Sequence, residues 1–231
     1  MINKFGKNIK LNSNKLYLRV RSKTRKSIIK KFADKFGLVY FGYVNQHDDD
    51  HKIIRGLTVS TRHVDHHYCV GSVGAYNVAV VDRSDIIQKP NNSIKIKKWF
   101  IVSFDLHTKK PVPHFFIQSN NRDDKSFEAL FTTFPNMKQV NLGTFEKYSP
   151  DFISRFSLYA RPAKSIDVEK IIDSKASMTL GAHLWPYCVE QHDNELYIYS
   201  SNNKLSLGAL ETMLENGLWL ASYIDSQVEK D

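Results

Sequence analysis

The sequence predicts an α+β fold in which an antiparallel sheet packs against several helices, the last of them long and amphipathic. Strand-like runs dominate the first half of the 231-residue chain, and helical patterns become frequent in the second half. Residues 66–82 contain two β-rich runs separated by glycines, which is typical of a hairpin. Residues 206–224 place apolar side chains on one side of a helix. The 42% hydrophobic content, with 14 Phe and 11 Tyr, is enough to bury a core.

The N-terminal elements follow from alternation and from helix-stop signals. Residues 16–21 alternate apolar with aromatic or cationic side chains, which predicts a half-buried strand. A helix is predicted from about Thr24 to Phe36, ending at Gly37, because glycine commonly adopts the left-handed conformation that closes a helix. The sequence then predicts strands over 38–44, 53–61, 68–70, 76–81, 94–104 and 114–117, polar loops over 46–52 and 83–93, and a short helix over 127–131.

Helical and strand patterns mix from residue 145 onward. The predicted elements are a strand over 152–160, helices over 166–173 and 175–184, a hairpin formed by 187–191 and 195–200, and the final helix over 206–224. The predicted core contains Phe32, Leu38, Val80, Phe104, Phe156, Leu158, Leu196, Ile198, Leu210 and Leu214.

The distribution of charge divides the chain into two parts. Residues 1–33 hold eleven lysines and arginines and no carboxylate, whereas the remaining 22 cations face 24 acidic residues. The net charge of +9 therefore comes from the N-terminus. We predict a basic N-terminal arm over residues 1–31 and an α+β domain over 32–231, with a subdivision near 135–150 as an option because proline, asparagine and glycine cluster there.

A cationic arm attracts polyanions, and two classes of partner fit it. The predicted polyanion-binding residues are Tyr17, Arg19, Arg21, Lys23, Arg25 and Lys26. On an anionic membrane surface, each basic residue near the headgroups contributes about 1 kcal/mol. Nucleic acid is the alternative, because Tyr17 would offer a stacking platform beside phosphate-binding arginines.

One segment suggests a metal site. If residues 63–69 are extended, His63, Asp65, His67 and Cys69 project from one face, and all four are ligand types that zinc accepts. This cluster would support a metal-dependent hydrolase as a second alternative function. Four same-face ligands on one strand are crowded for tetrahedral geometry, so a polar edge strand is the preferred interpretation, and no metal or other cofactor is predicted.

Neither catalysis nor membrane spanning is indicated by the motifs. The sequence contains no nucleophile elbow of the G-x-S-x-G type and no phosphate-binding glycine loop, so no catalytic residue is predicted. Two isolated cysteines, Cys69 and Cys188, suit a reducing compartment. No run of 18 apolar residues and no secretory signal is found, which predicts a cytoplasmic protein.

The order of several motifs resembles a widespread family of uncharacterised bacterial proteins. The motifs are Phe32-Ala33-Asp34-Lys35-Phe36-Gly37-Leu38, Gly71-Ser72-Val73-Gly74, Val78-Ala79-Val80-Val81-Asp82, Val112-Pro113-His114-Phe115, Phe152-Ile153-Ser154-Arg155-Phe156-Ser157-Leu158-Tyr159 and Glu195-Leu196-Tyr197-Ile198-Tyr199. The resemblance covers residues 30–224 and implies a soluble α+β domain, often linked to one or two membrane-spanning helices, with no assigned activity. In this chain the cationic arm replaces those helices.

The resemblance favours the membrane hypothesis over the nucleic-acid hypothesis. The preferred interpretation is a non-enzymatic binding module, peripheral to an anionic membrane surface and placed at the cytoplasmic side of the inner membrane. Its expected partner is an anionic lipid surface or an unidentified membrane protein, and the sequence does not identify a small-molecule ligand.

Overall fold

A nine-stranded antiparallel sheet organises the chain in the computed structural model, which describes residues 23–43, 63–88, 94–120, 136–201 and 205–230. Its strands are β1 (Val39–Tyr43), β2 (His63–Val73), β3 (Tyr76–Gln88), β4 (Ile94–Asp105), β5 (Phe115–Ser119), β6 (Lys138–Gln139), β7 (Phe156–Ala160), β8 (Cys188–His192) and β9 (Glu195–Ser200). Their order across the sheet is β1-β2-β3-β4-β9-β8-β5-β7-β6. Every neighbouring pair is antiparallel, so the predicted sheet type is confirmed.

Five helices accompany the sheet in the described residues. They are α1 (residues 23–36), α2 (Pro150–Arg155), α3 (Ser165–Ile171), α4 (Ser174–His183) and α5 (Leu207–Lys230), with a 3₁₀ turn at Pro162–Lys164. As predicted, α1 ends at Gly37, which has φ = +69°, and the Leu38 N–H then donates to the Ala33 carbonyl at 2.8 Å. The fold class is therefore α+β with a long C-terminal helix, as the sequence predicts.

The main core lies between one face of the sheet and the helices. All ten predicted core residues are buried. The longest helix, α5, contributes Leu210, Met213, Leu214, Leu220 and Ile224, each 0% exposed. These side chains join the inward residues of β3, β4 and β9 in one cluster, so burial of the apolar stripe fixes α5 on the sheet.

The opposite face of the sheet is buried as well. Its described members are Tyr68, Ala79, Val81, Trp99, Ile101, Phe116, Met137, Cys188, Tyr197 and Tyr199, and none of these belongs to α1–α5. Both faces of the central strands are thus removed from water, which explains why β4 reads as a continuous apolar run over residues 99–102.

Two predicted elements differ from the structure. The polar loop predicted over 83–93 is wrong for residues 83–88, where β3 continues and pairs with β4 as far as Gln88 opposite Ile94. Arg83 is polar but lies in the strand, because it is buried in an ion pair with Asp65 of β2 and is not exposed in a turn.

The strand predicted over 152–160 is correct only from Phe156. Residues 150–155 form α2, because the Ser149 hydroxyl accepts a hydrogen bond from the Phe152 N–H at 3.2 Å and Pro150 occupies the first turn. The predictions for residues 16–21, 46–52, 53–61 and 127–131 lie outside the described residues.

Candidate functional site

The predicted polyanion-binding residues have unequal environments. Tyr17, Arg19 and Arg21 lie outside the described residues. Arg25 is only 7% exposed, and its Nε lies 3.1 Å from Asp82 Oδ2 of β3. Arg25 therefore connects α1 to the sheet, whereas Lys23 and Lys26 remain exposed to solvent.

Helix α1 contains the last residues of the basic arm and presents their lysines on its solvent-exposed face. Ile29, Phe32 and Ala33 are buried against the sheet. The solvent side carries five exposed lysines, of which Lys35 forms an ion pair with Glu211 of α5 at 2.8 Å. We call the other four the α1 lysine face: Lys23, Lys26, Lys30 and Lys31. Lys30 Nζ also lies 5.5 Å from the centre of the Tyr40 ring, a cation–π distance. The core side of α1 thus holds these lysines at fixed positions on the surface.

The residues proposed as metal ligands do not share a face of β2. The register of β2 on β3 shifts between His66 and Cys69, and His67 has φ = +55° inside this bulge. Asp65 therefore pairs with Arg83 on one side of the sheet, while Cys69 is buried in the core on the helix side. The assumption of an uninterrupted extended segment is wrong, because the bulge reverses the alternation. The side chain of His63 lies outside the described residues.

The chemistry of these side chains also disfavours a metal site at Asp65, His67 and Cys69. The Asp65 carboxylate makes two hydrogen bonds to Arg83, at 2.8 and 2.9 Å. Burial raises the pKa of the Cys69 thiol to about 12, helped by the charge of Asp34, and this disfavours the thiolate that would bind a metal. In the described ranges, no three His, Cys, Asp or Glu side chains are grouped as metal ligands.

His67 instead shares a hydrogen bond with a tyrosine of β1. The Tyr40 hydroxyl lies 2.7 Å from His67 Nδ1. Burial, with a smaller contribution from Cys69, raises the pKa of Tyr40, so the phenol keeps its proton. Burial, the largest cause, lowers the pKa of His67 to about 4 together with smaller electrostatic contributions from His66, Arg25 and Lys26. The ring is therefore neutral at physiological pH.

A pH-dependent loss of stability follows from this neutral histidine. Below pH 6.5 the unfolded chain protonates His67 while the folded protein does not, so the contribution of His67 to stability falls as the pH drops from about 6.5 to about 4 and stays constant below that. Urea denaturation of the wild type and of His67→Asn across this range measures the effect. Asparagine keeps an acceptor near Nδ1 and tolerates the positive φ, but it does not titrate.

The two proteins should be similarly stable at pH 8, and their free energies of unfolding should diverge towards pH 4, with the variant the more stable. Parallel curves over the whole range would contradict the assignment of a neutral, buried His67.

A cleft of about 960 Å³ lies where the chain enters β5 and where it turns from β8 to β9. One wall is the 106–114 loop between β4 and β5, and another is the β8–β9 turn at residues 192–194. The 3₁₀ turn, α3 and the end of α5 complete the lining through Arg161, Lys164, Asp167, Ile171 and Val228. We call this feature the cationic cleft, because its described cations are Lys109, Lys110, Arg161 and Lys164 against two carboxylates, Asp167 and Asp193.

Buried hydrogen bonds fix the 106–114 loop. Asp225 of α5, which is 8% exposed, accepts hydrogen bonds from the His107 N–H and the Thr108 N–H, both at 3.0 Å to Oδ1. Its Oδ2 accepts a third from the Tyr76 hydroxyl at 2.7 Å. The Leu106 N–H donates to the Asn194 carbonyl at 2.9 Å, which joins the loop to the β8–β9 turn. Lys109 and Lys110 therefore follow an anchored backbone.

A second buried carboxylate orients a histidine of the cleft. Glu190 of β8 is 0% exposed; its Oε1 lies 2.9 Å from His114 Nε2, and its Oε2 accepts the Tyr199 hydroxyl at 2.6 Å. Burial raises the pKa of Tyr199, as does the charge of Glu190, so this hydroxyl remains a donor. The His114 ring also meets the His192 ring edge to face at 4.4 Å between centroids. Side chains of β8 and β9 therefore fix the orientation of His114 in the lining of the cleft.

Sequence reasoning missed this cleft. His114 appears only within the Val112–Phe115 motif of the resemblance, and Lys109, Lys110, Arg161 and Lys164 read as ordinary surface cations. The one local signal is the segment at 109–114, where two lysines precede a proline-rich stretch ending in histidine. Only the strand order β9-β8-β5 brings residues 109–114 and 192–194 together.

Comparison with known proteins identifies a structural relative. No protein-family model matches the chain, and no curated protein matches its sequence. The chain is similar in structure to the crystal structure of the mycobacterial trehalose monomycolate transport factor A, TtfA, with a TM-score of 0.54 and 10% sequence identity. The likeness covers 88% of this chain and 93% of TtfA, so nearly the whole α+β fold is shared.

The helices of the described residues do not meet the requirements of a membrane span. Within the described ranges, none is both long enough and apolar enough to cross a membrane. Even α5, at 24 residues, carries polar and acidic side chains along its length.

Proposed function

We propose that this protein is a non-enzymatic binding module that acts at an anionic membrane surface through its basic N-terminal segment, residues 1–31. The observation that carries the proposal is the α1 lysine face, where four exposed lysines continue the charge of the preceding arm on a folded helix. The partner is the anionic lipid surface itself or a membrane protein within it, on the cytoplasmic side of the inner membrane.

Electrostatics gives this contact its range and its salt dependence. Eleven cations without a carboxylate in residues 1–33 produce a field that reaches a membrane surface before contact. Screening limits this attraction to about 8 Å at physiological ionic strength. The fold likeness to TtfA adds support, since that protein is named as a transport factor and not as an enzyme.

Replacing Lys23, Lys26 and Lys31 together by glutamine should weaken binding to anionic vesicles by roughly 100-fold, at about 1 kcal/mol per basic residue near the surface. Lys30 is left in place because it contacts the Tyr40 ring. Sedimentation with phosphatidylcholine vesicles containing one quarter phosphatidylglycerol measures the change. Binding of the wild type should fall steeply with added salt and be absent with pure phosphatidylcholine.

A matched variant shows whether vesicle binding depends on the α1 lysine face or only on the total positive charge of the protein. Lys138, Lys147 and Lys170 are exposed elsewhere on the domain, and their replacement by glutamine removes the same number of charges. Equal losses in the two variants would contradict a specific role for α1. Tighter binding to single-stranded or duplex oligonucleotides than to vesicles, with a further loss for Tyr17→Ala, would instead support the nucleic-acid hypothesis.

A further inference from the structure

We propose that the cationic cleft binds an anionic amphiphile, a molecule with a phosphoryl or carboxylate group attached to an apolar portion. This site lies apart from the basic arm, and the inference stands independently of the membrane contact proposed above. Three properties of the cleft support it: its charge, its apolar lining and its rigid support.

The charge of the cleft selects an anion. Lys109, Lys110 and Arg161 are exposed at the cleft, and none of them forms an ion pair with a carboxylate of the described residues. Lys164 Nζ lies 2.8 Å from Asp167 Oδ2, so this pair is internally neutralised. The remaining cations exceed the one other carboxylate, that of Asp193. An arginine beside lysines is the usual composition of sites that bind phosphoryl or carboxylate groups.

The apolar side chains of the lining favour a ligand that also has an apolar portion. Pro111, Val112 and Pro113 of the loop face the cleft together with Ile171 of α3 and Val228 of α5. A volume of about 960 Å³ far exceeds what an isolated phosphate requires and lies within the range of clefts that enclose ligands of drug size. The cations and the apolar side chains thus suit the two halves of one amphiphilic molecule.

The cleft is supported by buried polar groups on two sides, which distinguishes it from a chance group of surface lysines. Asp225 holds the backbone at His107 and Thr108, immediately before the two loop lysines. Glu190, fully buried, orients His114 at the lining. Because both carboxylates are themselves fixed by tyrosine hydroxyls, binding here requires little ordering of the loop, and pre-organised sites lose less entropy on binding.

The test uses three soluble probes and the full-length protein. Dihexanoyl phosphatidylglycerol below its micelle concentration carries both the phosphate and the apolar chains. Dihexanoyl phosphatidylcholine has the same chains without net charge, and glycerol phosphate is a free phosphate without chains. Isothermal titration of each probe should give the tightest binding with the phosphatidylglycerol, by at least about tenfold over either of the others, as expected when both charge and apolar contact contribute.

A pair of variants with equal loss of charge locates the site. Lys110→Gln with Arg161→Gln should weaken binding of dihexanoyl phosphatidylglycerol by at least about tenfold, because charge-assisted hydrogen bonds to the phosphate are lost. Lys138→Gln with Lys170→Gln, which lie outside the cleft, should leave it unchanged. Both variants keep residues 1–31 intact, so a failure here is distinguishable from a failure of the vesicle experiment.

Three results would overturn the proposal. Equal weakening in both variants would show attraction to total charge and no defined site. Equal binding of the phosphatidylcholine would remove the role of the cations, and equal binding of glycerol phosphate would remove the role of the apolar lining.

Discussion

Replacement of Gly217 by alanine is expected to destabilise the fold by about 3 kcal/mol, because the added methyl overpacks a closed interior. Gly217 is buried in α5 where the helix crosses the sheet. A Cβ at this position would overlap the Phe104 ring and would lie 2.9 Å from Ile198 Cδ1. Both neighbours are 0% exposed, so neither side chain can move aside without displacing other buried atoms. Chemical denaturation followed by far-ultraviolet circular dichroism measures the loss.

Gly208 provides the matched control within the same helix. An added Cβ there meets no atom within 4 Å and lies in the first turn of α5, so Gly208→Ala should change the free energy of unfolding by no more than about 0.5 kcal/mol. Phe104→Leu should cost less in the Gly217→Ala background than in the wild type, because the smaller side chain relieves the overlap. A loss below 1 kcal/mol for Gly217→Ala would show that α5 does not pack closely on β4 and β9.

Much of the fold was predictable because its signals are local and repeated. The apolar stripe of α5 recurs over five turns, and burial of that stripe requires no knowledge of the rest of the chain. The β2–β3 hairpin was predictable for a similar reason, since its turn at Gly74 and Ala75 directly joins the paired residues Val73 and Tyr76. In both cases the residues that determine the element lie within the element.

The wrong assignments arise where a single interaction outweighs periodicity. At residues 150–155, the Ser149 cap favours a helix although the apolar residues Phe152, Ile153 and Phe156 also fit a strand. At residues 63–69, the bulge at His67 reverses the alternation from which a shared ligand face was predicted. Neither effect is visible in a period of 2 or 3.6, because the helix depends on the cap at Ser149 and the bulge depends on a local register shift in β2.

The cationic cleft could not be predicted for a further reason. Lys110, Arg161 and Asn194 are separated by at least 33 positions in the sequence and meet only because β5 inserts next to β8 and β7. The basic arm, by contrast, is a property of consecutive residues and is visible in the composition alone. Composition therefore predicts the basic arm, whereas the cationic cleft is apparent only in the folded structure.

Asp225→Ala is expected to destabilise the protein by about 3–5 kcal/mol, because three donors lose a buried acceptor at once and each unsatisfied buried donor costs about 1–3 kcal/mol. The donors are the His107 N–H, the Thr108 N–H and the Tyr76 hydroxyl. Burial is the largest cause of the raised pKa of Tyr76 and persists when Asp225 is replaced, so the phenol stays protonated in the variant. Urea denaturation gives the loss of stability, and amide hydrogen exchange at His107 and Thr108 shows whether the loop has lost its anchor.

Asp225→Asn separates the hydrogen bonds from the charge. The asparagine Oδ1 can still accept from both backbone N–H groups, and its amide can donate to the Tyr76 oxygen, so we expect only about a third of the loss caused by alanine. Exchange at His107 and Thr108 should stay slow in this variant and become fast in Asp225→Ala. If exchange is unchanged in both, the loop is held by other contacts, and the rigid support inferred for the cationic cleft must come from the side of Glu190 and His114 alone.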